Sequence, residues 1–369
     1  MIRLTWLQFR IQAVTAAAAL AVFAVLLAAT GPHLASLYAA DGLDSCHGGS
    51  SCANLATYFT ASLARSPYGV LFLLSTGIIL LAPAVIGLFW GAPLIARELE
   101  TGTAALAWNQ SVTRTRWLAV KLAIGGLTAM ALTEALSLMQ TWWAVPISQA
   151  VADGSGAGVA QSRFSQLNFA THGITPIGYA AFAFALGVTA GALIRRTVPA
   201  MAVTLAIFAA LQVAMPLWVR PNLAPPDHVA IPVSGQGNFS PAQSGPGGST
   251  FTLFAVNIPG QPGAWLLSSG PVNAAGQPVS TTPAACASIA NTGGTNTGTS
   301  QATQSGSGAS ATGPAGFLAC LGSHGIREAI TYQPASRYWR FQATETAIYL
   351  ALALALAGYC FRRLNHRLT

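Results

Sequence analysis

Long apolar stretches, each separated from the next by a polar or basic cluster, set the pattern of this chain. Six runs approach the twenty or so residues a helix needs to cross a hydrocarbon layer. They are Ile11–Thr30, Gly69–Trp90, Leu118–Val145, Gly173–Ile194, Val198–Trp218 and Thr344–Phe361. The pattern predicts an all-α polytopic membrane protein with six transmembrane helices. The first run reads as a span and not as a cleaved leader. It is long, and it ends at Thr30-Gly31-Pro32 without a small-x-small cleavage site.

Composition supports this reading. Of 369 residues, 53% are hydrophobic and 7% charged, where soluble domains carry about a quarter charged residues. An ordinary cytosolic enzyme is therefore excluded. The net charge of +8 does not point to nucleic acid, because the arginines flank the apolar runs, where they report orientation. Arg3 and Arg10 precede the first span, and Arg97, Arg114, Arg116 and Lys121 lie between the second and third. Arg195 and Arg196 separate the fourth and fifth; Arg362, Arg363 and Arg367 follow the sixth. All four groups fall on one side, so both termini are expected in the cytoplasm of a cell-membrane protein. Met1–Arg10 reads equally as a short interfacial helix or as a charged flank that sets topology.

The chain then divides into spans one to five (1–219), a long external segment (220–343) and the sixth span with a basic tail (344–369). The external segment is expected to be partly disordered. Its low-complexity core, about 292–313, holds runs such as Asn291-Thr-Gly-Gly-Thr-Asn-Thr-Gly-Thr-Ser300. Such a stretch buries too little surface to offset its ordering entropy. Phe251-Thr-Leu-Phe-Ala-Val256 and Ala264-Trp-Leu-Leu267 read as short strands, and Phe317-Leu-Ala-Cys-Leu321 as a packed piece.

Cys46 and Cys52 lie in the first external segment, Cys286 and Cys320 in the last, and Cys360 is left over at the inner end of the last span. Outside the cytoplasm the first four can form the disulfides Cys46–Cys52 and Cys286–Cys320 or remain thiols. A metal on Cys46, His47 and Cys52 is the weakest reading, since a fourth ligand is not in sight.

Absent motifs narrow the chemistry. The sole lysine, Lys121, sits in Ala119-Val-Lys-Leu-Ala123, so no phosphate-binding G-x-x-x-x-G-K-[ST] loop exists. H-E-x-x-H, C-x-x-C and G-x-S-x-G are missing too. No cofactor or metal is expected on this chain, and any energy source must lie on another. Within the spans Glu134 stands nearly alone as an acidic group. It either packs as a neutral, hydrogen-bonded carboxyl beside Thr133 or Gln140, or serves substrate passage or gating. Gln212 and Thr189, the latter among Gly187, Ala190 and Gly191, read as packing positions.

The most specific stretch is the polar segment 91–117, where a helix is expected to begin near Pro93. Its core, Arg97-Glu-Leu-Glu-Thr-Gly-Thr103, is followed by a turn at Asn109-Gln-Ser111 and by Arg114 and Arg116. Here the sequence resembles the integral-membrane permease subunits of ABC transporters of the type-2 export family, which carry R-E-x-E-x-G-T after the second span. Arg97, Glu98, Glu100, Gly102 and Thr103 match position by position. Trp108–Trp117, Tyr338-Trp-Arg-Phe-Gln342 and the tail Arg362-Arg-Leu-Asn-His-Arg367 look like the actinobacterial version.

The resemblance implies a permease without its own ATPase site. Two copies, or one copy and a sister permease, would sit over cytoplasmic ABC ATPase subunits that bind ATP and Mg. Arg97, Glu98, Glu100, Gly102, Thr103 and Arg114 would form the coupling contact. Glu98 and Glu100 diverge by about 200° on a helix, so only one can face the ATPase squarely, and the resemblance favours Glu98. Two other readings compete: a membrane-embedded sensor or scaffold with an external ligand-binding segment, and an intramembrane enzyme. The first leaves the Arg97–Thr103 pattern unexplained; the second lacks a second catalytic group. The substrate is not legible.

Overall fold

The computed structural model describes residues 2–46, 50–100, 113–153, 162–234, 239–244, 249–255, 258, 261, 263–291 and 313–366. The chain forms two compact units, residues 1–223 with 338–369 and residues 224–337.

Among the described residues six helices are long and apolar enough to cross a membrane. They are Arg10–Ala40, Pro67–Glu100, Thr115–Trp143, Thr175–Ile194, Thr197–Asn222 and Ala335–Arg363. The first helix runs unbroken from Ile2, past the Thr30-Gly31-Pro32 stop expected from the sequence, to Ala40. Proline ends helices in water, but membrane helices tolerate the lost hydrogen bond. Here the indole N–H of Trp143 donates to Thr30 Oγ1 at 3.0 Å, tying this turn to the third span.

The fourth span is the hub. Its most apolar window is 78% buried, against 11% for the first span. The cause is side-chain size: Gly178, Gly187 and Gly191 alternate with alanines, so neighbouring backbones come close. The second span meets it glycine to glycine. A methyl at Gly187 would lie 2.3 Å from the Gly87 carbonyl oxygen, and one at Gly191 2.4 Å from that of Ala92. Gly87–Gly91 is a π-helical turn inside the second span, a bulge type frequent at functional sites.

Three short helices, Ser50–Ala64, Val145–Asp153 and Gln166–Thr171, were not legible from the apolar runs and lie between spans. Phe59, Leu63, Trp143 and Ile147 bury together with Phe23 and Leu27 of the first span. A disulfide joins Cys46 to Cys52 at the start of the first of these helices.

The second unit spans Ala224–Arg337, slightly inside the 220–343 expected. It contains β1 (Asp227–Pro232), β2 (Phe239–Ser244), β3 (Thr250–Ala255), β4 (Trp265–Val272) and β5 (Arg327–Gln333). β1, β5 and β4 form one antiparallel sheet in that order, and β2 pairs with β3. β3 and β4 fall on the two expected strands; the other three were not foreseen. The Phe317–Leu321 piece is part of a helix, Pro314–Ser323, which buries Phe317, Leu318 and Leu321 against Phe251 and Ile330. The Cys286–Cys320 disulfide fastens it to the Ala284–Asn291 helix. Most of the low-complexity core, 292–312, lies outside the described residues.

Candidate functional site

The segment singled out by its motif is not a separate helix. Ala92–Glu100 continues the second span beyond the π-helical turn. Its apolar face, Ala92, Ile95 and Ala96, is buried, with Ala92 meeting Ala190 and Ala200 of the fourth and fifth spans. Arg97, Glu98 and Glu100 leave the helix away from this face and in different directions, and here their roles separate.

Glu98 forms an ion pair with Lys121 of the third span. Lys121 is only 3% exposed, and its ammonium also sits 4.5 Å from the centre of the Trp117 ring. A buried ammonium without a carboxylate would be costly, so each group accounts for the other. Glu100 instead reaches the fifth span. Its Oε1 accepts from the Thr197 backbone N–H at 2.9 Å, and its Oε2 from the Thr197 hydroxyl at 2.6 Å. Thr197 opens the fifth-span helix, whose first N–H groups lack partners in their own helix. A carboxylate there satisfies a free donor and meets the positive end of the helix dipole. The left-handed turn at Arg195, φ +57°, brings that helix start round to Glu100.

The angular divergence of the two glutamates is thus used within the chain, one bound to the third span and one to the fifth. Gly102, Thr103 and the turn at 109–111 lie outside the described residues. Arg114 begins the third-span helix, where the Thr113 hydroxyl accepts the Arg116 backbone N–H at 3.4 Å; the side chain of Arg114 is outside the description.

A second polar cluster lies at the other end of the bundle, and the sequence reading passed over it. Arg220 follows a π-helical turn, Met215–Val219, at the end of the fifth span. Its Nε donates to Glu345 Oε2 at 2.9 Å and its Nη2 to Oε1 at 3.1 Å. Tyr179 of the fourth span donates its hydroxyl to the same Oε1. Arg220 and Glu345 are 2% and 0% exposed. The guanidinium stacks 3.9 Å from the centre of the Phe169 ring. Glu134 is therefore not the lone acidic group of the spans. Beside this cluster, the Gln342 amide N–H donates to the carbonyls of Phe169 and His172 at 3.0 Å. Its Oε1 accepts the backbone N–H groups of Ile174 and Thr175 at 3.1 Å. One side chain so fixes the entry to the fourth span. Oppositely charged residues at neighbouring ends of two spans were the available signal.

Glu134 itself is half-buried, and its Oε2 meets no hydrogen-bond donor. The expected neighbours bind elsewhere. The Thr133 hydroxyl donates to Ala129 O at 3.0 Å and lies 3.3 Å from Pro176 O, while the Gln140 amide donates to Thr76 Oγ1 at 2.8 Å. Thr189 donates to Ala185 O at 2.8 Å, as a packing position should, whereas the Gln212 amide nitrogen is buried without a partner.

Cys286, Cys320 and His324 bring ligand atoms within 4.8 Å of one another, but both sulfurs are spent in the disulfide and cannot act as thiolates. Cys360 is a buried free thiol. His47 lies outside the described residues.

Comparison with known families gives one match. A family model described as "ABC-2 membrane transporter related" covers residues 17–220, just over half of the chain, from within the first span to near the end of the fifth. No curated protein and no solved structure matches significantly.

Proposed function

Since the chain belongs to the ABC-2 membrane transporter related family, we propose that it is the permease subunit of an ATP-driven exporter. In this reading a separate ABC ATPase subunit binds ATP and Mg and hydrolyses the nucleotide. A second copy or a sister permease completes the pathway. Both termini and the Arg97–Thr103 segment face the cytoplasm, following the basic loops, and the unit 224–337 projects outside the cell membrane. Assignment to an actinobacterial subgroup rests on Trp108–Trp117 and the basic tail.

The observation that carries this reading is the double attachment of the motif segment. Glu98 grips the third span and Glu100 the fifth, while Gly87 and Gly91 lock the second span to the fourth. A push on the Arg97–Thr103 end would therefore reach four spans, through an ion pair, a capped helix start and close glycine contacts. Packed interfaces of this kind switch between discrete arrangements instead of deforming gradually. Closure of the ATPase pair would supply the push. Glu134, half-buried and with an unmet oxygen, would line the passage or gate it.

The test is to purify the tagged chain from its own membranes and reconstitute what accompanies it. A co-purifying subunit with a Walker motif, and ATP hydrolysis that responds to candidate compounds, is the expected result. A chain that arrives alone, or an ATPase indifferent to its presence, would remove the proposal.

A further inference from the structure

A cavity of about 260 Å³ opens where the third span ends, the sixth begins and residues 163–173 lead into the fourth. Phe72, Leu138, Ile147 and Val151 make an apolar wall, closed by the ring of Trp339. Arg163, Asn168 and His172 supply the polar side, and no Asp or Glu lines the cavity. Arg163 is exposed, and among the described residues no carboxylate pairs with it. His172 is committed at one nitrogen. Its Nδ1 lies 3.0 Å from the Asn168 carbonyl, which can only accept, and 3.1 Å from the Thr171 hydroxyl, whose hydrogen goes to Leu167 O at 2.9 Å, so Nδ1 carries the hydrogen and Nε2 is an acceptor. Burial holds the imidazole below its ordinary pKa, in the neutral form this tautomer needs.

The level of the cavity relative to a bilayer is set by its rim. Trp339, which lines it, is 62% exposed at the start of the sixth span, and tryptophan gathers at headgroup depth. A largely apolar slot at that depth, with one free cation and one hydrogen-bond acceptor, suits a molecule with an apolar body, an anionic group and a hydroxyl. A free inorganic anion would leave the apolar wall wetted, and a zwitterionic lipid would bring a second cation to Arg163.

We propose that this cavity binds an anionic phospholipid of the surrounding bilayer, with its phosphate at Arg163, a headgroup hydroxyl at His172 and the upper part of one acyl chain along Phe72, Leu138 and Ile147. The site is independent of the coupling segment and of the exporter reading.

Native mass spectrometry of the full chain in detergent tests it, with phosphatidylglycerol and phosphatidylcholine of matched chains offered together. Wild type should retain phosphatidylglycerol about fivefold over phosphatidylcholine, the factor expected of one basic group at a membrane surface. Arg163→Gln should bring the ratio to one with an unchanged thermal melt, and Arg163→Lys should restore most of it. Glycerol phosphate, which has the headgroup without the chains, should not displace the lipid. Equal retention of the two lipids by wild type, a preserved preference in Arg163→Gln, or efficient displacement by glycerol phosphate would each overturn the proposal.

Discussion

Removing the two halves of the Arg220–Glu345 pair should have unequal consequences. In Glu345→Ala the guanidinium of Arg220, 2% exposed, loses both carboxylate contacts. It cannot shed its proton at any accessible pH, and Tyr179 loses its acceptor as well. An uncompensated buried charge of this kind costs about 3–5 kcal/mol. In Arg220→Met the orphan is Glu345, which can take up a proton and leave only a polar group to be satisfied, at about 1–3 kcal/mol. The double variant Arg220→Met/Glu345→Leu places apolar groups of similar size in the site and should lie close to wild type, as replaced buried pairs often do. Thermal unfolding in detergent, followed by circular dichroism and arranged as a double-mutant cycle, gives the three values. The order should be Glu345→Ala worst, Arg220→Met intermediate, the double variant best, with strong non-additivity. Equal single effects that simply add would refute the reasoning and make the pair incidental to the packing of spans four, five and six.

Three further outcomes are expected. Burial pushes the Glu328 carboxyl from its ordinary 4.5 up to about 7, against a smaller opposing effect from Ser269. A raised folded pKa means that stability is highest below pH 4.5 and declines until pH 7, by about 3 kcal/mol in total. Hydrogen exchange of β5 amides, corrected for the intrinsic rate, should show this decline in wild type and a flat profile in Glu328→Gln. Gly187→Ala should destabilise the bundle by at least about 1–3 kcal/mol, because its methyl meets the backbone of Gly87 at 2.3 Å and of Ala92 at 2.8 Å; an unchanged detergent melt would contradict the glycine contact. If Glu134 serves passage, Glu134→Gln should lower substrate stimulation of the ATPase while leaving the complex assembled, and full stimulation would reduce it to packing.

The six spans were legible because a membrane helix is written locally, as one long apolar run. Its ends were less so: Pro32 is a stop signal in water but not inside a bundle, where Trp143 and Thr30 hold the turn. The short helices between spans carry mixed faces of ordinary length and leave no such signature. Strands β3 and β4 announced themselves by their apolar residues, whereas β2, Phe239-Ser-Pro-Ala-Gln-Ser244, has little to mark it. The site divides in the same way. Arg97, Glu98 and Glu100 stood out through their pattern, yet their partners did not. Lys121 is 23 positions from Glu98, and Arg220 is 125 from Glu345. Such pairings are decided by how the spans pack, which no local period encodes. Lys121 in particular served to orient the spans and to exclude a phosphate loop, although a lone lysine near a span's end already asks for a carboxylate.

In the proposed exporter the Arg97–Thr103 end couples the permease to an ATPase, with Glu98 as a contact. Glu98→Arg alone cannot decide it, because the new cation would also repel Lys121 and disturb the third span. The exchange Glu98→Lys with Lys121→Glu separates the two effects, restoring the internal pair while leaving the surface charge reversed. The measurement is ATP hydrolysis by whatever co-purifies with each variant, set beside its thermal melt. Wild type should bring an ATPase, Glu98→Arg should lower both melt and recovered activity, and the exchange should recover the melt but not the activity. Recovery of both by the exchange would make Glu98 an internal tie alone, and no ATPase with wild type would contradict the account at its root.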